Sequence, residues 1–174
     1  MHRYERIHVG FVKYCKAKSY GIIDYEDLHS ETITRAFDGF DKLKNKTAFP
    51  AYFYGIAKNI IKNELRKRTT INKYEIYKID EDQLAQNYAE ERFEIEILYK
   101  ALSQLPENQK EAIILFEITG YSIKEIAVIQ NSGESAVKQR LKRGRERLSE
   151  ILVEPKLRTE PLTRNANVLL TLFL

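Results

Sequence analysis

Cysteine occurs once in this chain, at Cys15, and that scarcity removes two classes of protein at the outset. One thiol allows neither an internal disulfide nor a thiolate zinc site. Histidine is almost as rare, and His2, His8 and His29 show no metal-ligand spacing. There is no G-x-S-x-G elbow and no phosphate-binding glycine loop, and Cys15 falls on an apolar stripe. Long apolar runs are also missing: nothing approaches the roughly 20 residues that span a bilayer. The opening Met1-His2-Arg3-Tyr4-Glu5 has no signal-peptide core. These absences predict a cytoplasmic protein with no membrane span, no cofactor, no metal and no covalent chemistry of its own.

Glycine (7) and proline (4) are scarce as well, so little interrupts helices. What is present is helical periodicity over almost the whole chain, with 43% hydrophobic residues to fill a core. The length of 174 residues suits one medium domain or two small ones. Tyr4, Ile7, Phe11 and Tyr14 give a first helix one buried stripe, and Gly21 ends it. Asp24 can cap a second helix, with Glu26 and Asp27 in its first turn, where the helix dipole favours negative charge. Its inner face is Leu28, Thr32, Ala36, Phe37 and Phe40. After the polar loop 41–46, Thr47 can cap a third helix that tolerates Pro50 in its opening turn. Phe49, Phe53, Ile56, Ile60 and Leu65 line its inner side, while Tyr52 and Tyr54 stay open between core and surface.

Periodicity fades from Thr69 to Glu91 and resumes in Phe93–Gln104 and Pro106–Thr119, closed by Gly120. Ser122-Ile123-Lys124-Glu125 reads as a capping box for a short helix, followed by a turn at Asn131-Ser132-Gly133 and a longer helix from Glu134 to Leu152. The prediction is all-α: two small helical domains, 1–70 and 93–153, joined by a linker at 71–92 and followed by a tail at 154–174.

The net charge of +4 is mild, but its distribution is not. Cations gather in 58–73 and 138–147, and acids lie between them at 80–82 and 90–96. Two basic surfaces suggest two contacts with nucleic acid. In the second block, two unequal helices around a glycine-containing turn fit a helix-turn-helix. Ile123, Ile126, Ala127 and Ile129 brace the pair, and Gly133 supplies the small turn residue. Glu134, Ser135, Lys138 and Gln139 sit where short polar side chains meet base edges, with Arg140, Lys142, Arg143, Arg145 and Arg147 placed for phosphates. A solvated basic surface helix is the alternative, and the capped helix and tight turn before it decide against that. In the first block, Phe49–Asn59 interleaves aromatics with a cation and an amide, ahead of Lys62, Arg66, Lys67 and Arg68. Rings that stack bases and cations that neutralise a backbone are what single-stranded DNA requires.

These segments, in this order, resemble a known family. Asp24-Tyr25-Glu26-Asp27-Leu28-His29-Ser30-Glu31 resembles the acidic E-D-L-x-Q-E start of sigma region 2, and Phe49–Asn59 resembles F-x-x-W-L-x-x-I-A-x-N. Ala101–Pro106, Tyr121–Ala127 and Ala136-Val137-Lys138-Gln139-Arg140-Leu141 resemble region 4. The chain is thereby similar to extracytoplasmic-function sigma factors, which keep regions 2 and 4 only.

The resemblance implies core RNA polymerase and promoter DNA as partners, duplex at the −35 element and single-stranded at the −10 element. Asp27, Leu28 and Glu31 would lie on the helix that docks on the polymerase's clamp helices. The loop 41–48 with Tyr52 and Asn59 would take a base flipped from the −10 element, and Lys58, Lys62 and Arg66 would hold phosphates there. Glu134, Ser135, Lys138, Gln139, Arg140, Lys142 and Arg143 would meet the −35 element. The linker would thread toward the RNA exit path, where its acids could mimic RNA. An anti-sigma factor is a common partner in the family but has no motif in this chain. Tyr52 replaces the family's Trp, Ser30 its Gln, Ala136 its Thr and Leu43 a loop aromatic. The family also usually carries one more helix before the segment holding Tyr14. Two other functions compete: a helix-turn-helix regulator that never meets polymerase, and a sigma-like adaptor that does not initiate. The first leaves the acidic motif and the aromatic-basic helix without a role.

Overall fold

The computed structural model describes residues 8–71 and 89–153, and every regular element among them is helical. The first half holds α1 (His8–Ser19), α2 (Tyr25–Phe40) and α3 (Phe49–Ile71), with a 3-10 turn at Lys46–Ala48. The second holds α4 (Ala89–Ser103), α5 (Glu107–Ile113), a π turn (Ile114–Ile118), α6 (Ile123–Ile129) and α7 (Glu134–Val153). Helix α4 begins ahead of the expected Phe93. Tyr4, Ile7, most of the proposed linker and the tail lie outside the described residues.

Local chemistry accounts for the boundaries. Gly21, at φ +69°, turns the chain after α1, a conformation side chains with a Cβ resist. The Asp24 carboxylate accepts from the Glu26 N–H at 2.7 Å and caps α2. The expected Thr47 cap is replaced by Asn45, whose side-chain oxygen accepts from the Thr47 N–H at 3.0 Å. An asparagine two residues back forms this turn more readily than threonine caps its own helix. The Ser122–Glu125 capping box of α6 is complete in both directions. At the turn after α6 it is Asn131, at φ 46°, that takes the left-handed conformation, not Gly133.

The first-half core gathers on rings. The Phe11 and Phe53 centroids lie 4.4 Å apart and those of Tyr14 and Tyr54 4.7 Å, both edge to face. Leu28, Thr32 and Ala36 of α2 close over them, and the Thr32 hydroxyl donates to the Leu28 carbonyl at 2.7 Å, which makes its burial tolerable. Phe37, expected inside, is 53% exposed, because it lies one residue, about 100°, past the buried Ala36. Leu65 is likewise exposed, beyond the reach of that core.

In the second half, Ile113, Ile114, Leu115, Val137 and Leu148 are fully buried. The Thr119 N–H reaches back to the Ile114 carbonyl at 3.0 Å, one residue wider than an α-helix. Helices α5 and α7 cross at Gly144, where an added Cβ would sit 3.0 Å from Ile113 Cγ1.

The two halves lie against one another, and their buried hydrophobic residues form one continuous cluster. Helix α1 packs on the π turn and α3 on α6. The rings of Tyr54 and Tyr121 meet at 5.6 Å across the boundary. Replacing Gly144 by Leu should wedge α5 from α7 and cost about 1–3 kcal/mol; a denaturant midpoint equal to wild type would refute the close crossing.

Candidate nucleic-acid interface

Helix α7 divides its residues cleanly. Val137, Leu141 and Leu148 face the core, and Glu134, Ser135, Lys138, Gln139, Lys142 and Arg143 are all exposed. Positions 134, 135, 138, 139, 142 and 143 repeat at helical spacing, so the predicted base-edge and phosphate residues share one outward face. Lys142 Nζ lies 3.9 Å from Glu146 Oε1, with both side chains exposed.

Two cations of α7 are occupied differently. Arg140 Nη1 donates to Gln130 Oε1 at 2.7 Å and to Ser132 Oγ at 2.8 Å, clamping the turn between α6 and α7. Arg145 donates twice to Glu117 Oε1, at 2.9 and 2.7 Å, with its guanidinium 5.4 Å from the Phe116 ring. Arg145 therefore braces the π turn, and Arg140 sets the angle of the two helices. A guanidinium fork bonded to both partners holds the turn rigidly.

In the first half, Asn59, Lys62 and Arg66 lie exposed along one side of α3. Tyr52 is half-buried, its hydroxyl 3.4 Å from the Arg35 carbonyl and so close to Gly39 that a Cβ there would collide with it. Tyr54, left open by the sequence, is a core residue, and burial pushes its phenol pKa up. Lys58 does not stand with its expected neighbours in solvent: its Nζ lies 3.1 Å from Glu111 Oε2 in the other half. On α2, Asp27 is exposed and Glu31 pairs with Arg35 one turn on. Leu28 is fully buried, so its side chain anchors α2 rather than offering a contact.

Five residues were not foreseen as a group. Lys18, Lys110 and Glu111 are buried charges; the Lys18 ammonium pairs with Glu107, and Lys110 Nζ donates to the Lys18 carbonyl at 3.2 Å. Gln130 donates to Glu111 Oε2 at 3.0 Å. Burial, reinforced by Lys18, lowers the Lys110 pKa to about 8, although Glu107 opposes this. Burial works against ionisation of Glu107, yet Lys18 holds its carboxyl below the usual range. A charge on a helix reads as solvated in a single sequence, so no pattern flags this cluster.

Comparison with known proteins gives this geometry a context. The family models for sigma-70 region 2 and sigma-70 region 4 match residues 2–71 and 95–148. The ECF RNA polymerase sigma factor EcfG of Rhodopseudomonas palustris (strain TIE-1) is 30% identical over 131 residues, covering 73% of this chain and 70% of that protein. The chain belongs to the ECF sigma factors. It is also 28% identical over 153 residues to the ECF sigma factor SigX of Bacillus subtilis (strain 168), covering 79% of each chain. Among solved structures, the sigma factor RpoE in complex with the anti-sigma factor NepR, from Bartonella quintana, matches with a TM-score of 0.61 and 25% identity. That match covers 85% of this chain and 94% of the other. As an ECF sigma factor, the protein directs transcription initiation. No helix among its described residues is long and apolar enough to cross a membrane.

The two arginine roles can be separated from DNA contact. Arg140→Ala should lower stability by roughly 1 kcal/mol by releasing Gln130 and Ser132. Lys142→Ala should stay within about 0.5 kcal/mol while flattening the salt dependence of duplex binding. Equal melting temperatures for the two variants would remove Arg140 from the turn.

Proposed function

We propose that this sigma factor divides a promoter between its halves, the 1–70 unit taking the single-stranded −10 element and the 93–153 unit the duplex −35 element. Residues 71–92 connect them inside the polymerase, and no role is assigned to 154–174. The observation that carries the reading is the outward face of α7: a short acidic and hydroxyl start followed by amide and cation, on a helix whose turn is clamped by Arg140. In this reading Glu134, Ser135, Lys138 and Gln139 face base edges, while Lys142 and Arg143 meet phosphates and Arg140 orients the helix toward them. Asn59, with Tyr52 behind it, receives an extruded base. Lys62 and Arg66 neutralise the strand on either side.

The helix α2 offers Asp27 and Glu31 to the clamp of core polymerase. The protein works in the cytoplasm and performs no covalent chemistry. Its single thiol supports that view, since Cys15 is fully buried and burial pushes its pKa up. An anti-sigma factor is a further proposed partner, supported by the RpoE–NepR complex among similar structures.

Run-off transcription with purified core polymerase and a pool of upstream fragments tests the reading. Transcripts that depend on the protein and share one −35/−10 pair are expected. Duplex binding without core binding would instead identify a conventional regulator. Within the same assay, Asn59→Ala should depress open-complex yield at least several-fold and leave core binding intact. Lys138→Ala or Gln139→Ala should change the ranking among −35 sequences; a uniform loss would take those residues out of base contact.

A further inference from the structure

Four glycines stand inside helices, at Gly10, Gly39, Gly55 and Gly144, and none of them is at positive φ. Glycine is the poorest helix former but proline, so each needs a reason in the space around it. Three have a neighbour in that space. A Cβ on Gly144 would lie 3.0 Å from Ile113 Cγ1, and one on Gly10 would lie 3.6 Å from Thr119 Cβ. A Cβ on Gly39 would collide with the Tyr52 hydroxyl. Gly55 differs: apart from its own stretch of backbone, no described atom comes within 4 Å of the place its Cβ would take. Packing does not account for this glycine.

The empty place has chemistry on both sides of it. Tyr52, Gly55, Asn59, Lys62 and Arg66 follow one another at intervals of three and four, so they share one face of α3. Asn59, Lys62 and Arg66 are exposed, and Tyr52 and Gly55 are half-buried. Tyr52 and Asn59 stand about 10 Å apart along the helix axis, with Gly55 as the gap between them. Cα–Cβ bonds tilt toward a helix N-terminus, which leans the base of the Asn59 side chain back toward Gly55. Tyr52 is fixed from the other side, its hydroxyl 3.4 Å from the Arg35 carbonyl and in the space that Gly39 leaves. One glycine seats the aromatic, and the other leaves bare backbone beside it. Glycine serves where a ligand must come close to the main chain. The ligand that suits this strip is flat, offers hydrogen bonds at its edge to an amide, and carries phosphates for the cations beyond.

We propose that Gly55 is a notch for one unpaired base, whose ring lies on the bare backbone of α3 between Tyr52 and Asn59. Gly39 is then a positioning residue, which acts through Tyr52 by seating it as one wall of the notch. The proposal rests on the −10 reading above and adds to it two residues that carry no side chain of their own. A side chain at either position acts on the base by displacement: at Gly55 directly, at Gly39 by moving Tyr52.

Stability and function should move in opposite directions in the full-length chain. Gly55→Ala improves the helix and meets no atom, so it should melt about 2–4 °C higher than wild type. Gly55→Leu fills the notch and should cut open-complex yield several-fold at a promoter drawn from the run-off pool, with core binding unchanged. When −10 nucleotides of the non-template strand are made abasic one at a time, that defect should disappear at a single position. Gly39→Ala should also lower the yield, and adding Tyr52→Phe, which removes the colliding hydroxyl, should restore it. A lower melting temperature for Gly55→Ala, an undiminished yield for Gly55→Leu, or a defect that persists at every abasic position overturns the notch and leaves the sigma reading standing. Failure of Tyr52→Phe to rescue removes Gly39 from its role. If wild type forms no open complex, the −10 reading itself fails, and binding of the free protein to oligothymidylate decides the notch. Several-fold weaker binding by Gly55→Leu than by wild type would support it there; equal binding, or none by wild type, would overturn it.

Discussion

One helix with three differently committed faces constrains everything else in this molecule. At about 100° per residue, α3 must serve a core, an opposing half and a solvent face from a single sequence. Phe49, Phe53, Ala57 and Ile60 point into the first-half core, and Tyr54 and Lys58, one turn apart, point at the second half. Asn59, Lys62 and Arg66 are left to solvent. Because the helix is rigid, the angle between these faces is fixed by covalent geometry rather than by packing. The exposed Asn59 side of the helix is therefore held at a set orientation to the aromatic cluster around Phe11 and Phe53.

The charges at the boundary then follow from what α3 leaves available. A helix that already spends its large apolar residues on its own core has tyrosine and lysine for the second contact. The second half answers with Tyr121 and Glu111, and Gln130 ties that carboxylate to the helix-turn-helix. Lys110, buried beside Lys18, survives there because its ammonium has the Lys18 carbonyl as an acceptor and Glu107 nearby.

Much of this was legible in the sequence, and the parts that were not share a cause. Element types, the Asp24 cap and the Ser122–Glu125 box depend on neighbours within four or five residues, and periodicity reports those directly. The exposed face of α7 was found in the same way. Phe37 and Leu65 were misplaced because an apolar residue at the edge of a stripe can fall on either side of it, and only the partner helix decides. Lys58 was assigned to solvent and Glu111 was not noticed at all, because their pairing joins residues far apart in the chain. The sequence marked the turn at Asn131-Ser132-Gly133 but not which of its residues would take the left-handed conformation, which is Asn131.

The π turn at Ile114–Ile118 carries a consequence for how such a chain can vary. It holds one residue more than an α-helical path would need, and Arg145 locks it through Glu117 while cation and ring meet at Phe116. Removing one residue there would wind the segment into a plain helix and rotate everything beyond it by about 100°. Ser122, Arg140 and the exposed face of α7 would then turn together away from their present bearing. Side chains in this stretch can be exchanged for others of similar bulk, but its length cannot drift. Insertions and deletions are tolerated in the loops, and here they amount to a change of aim.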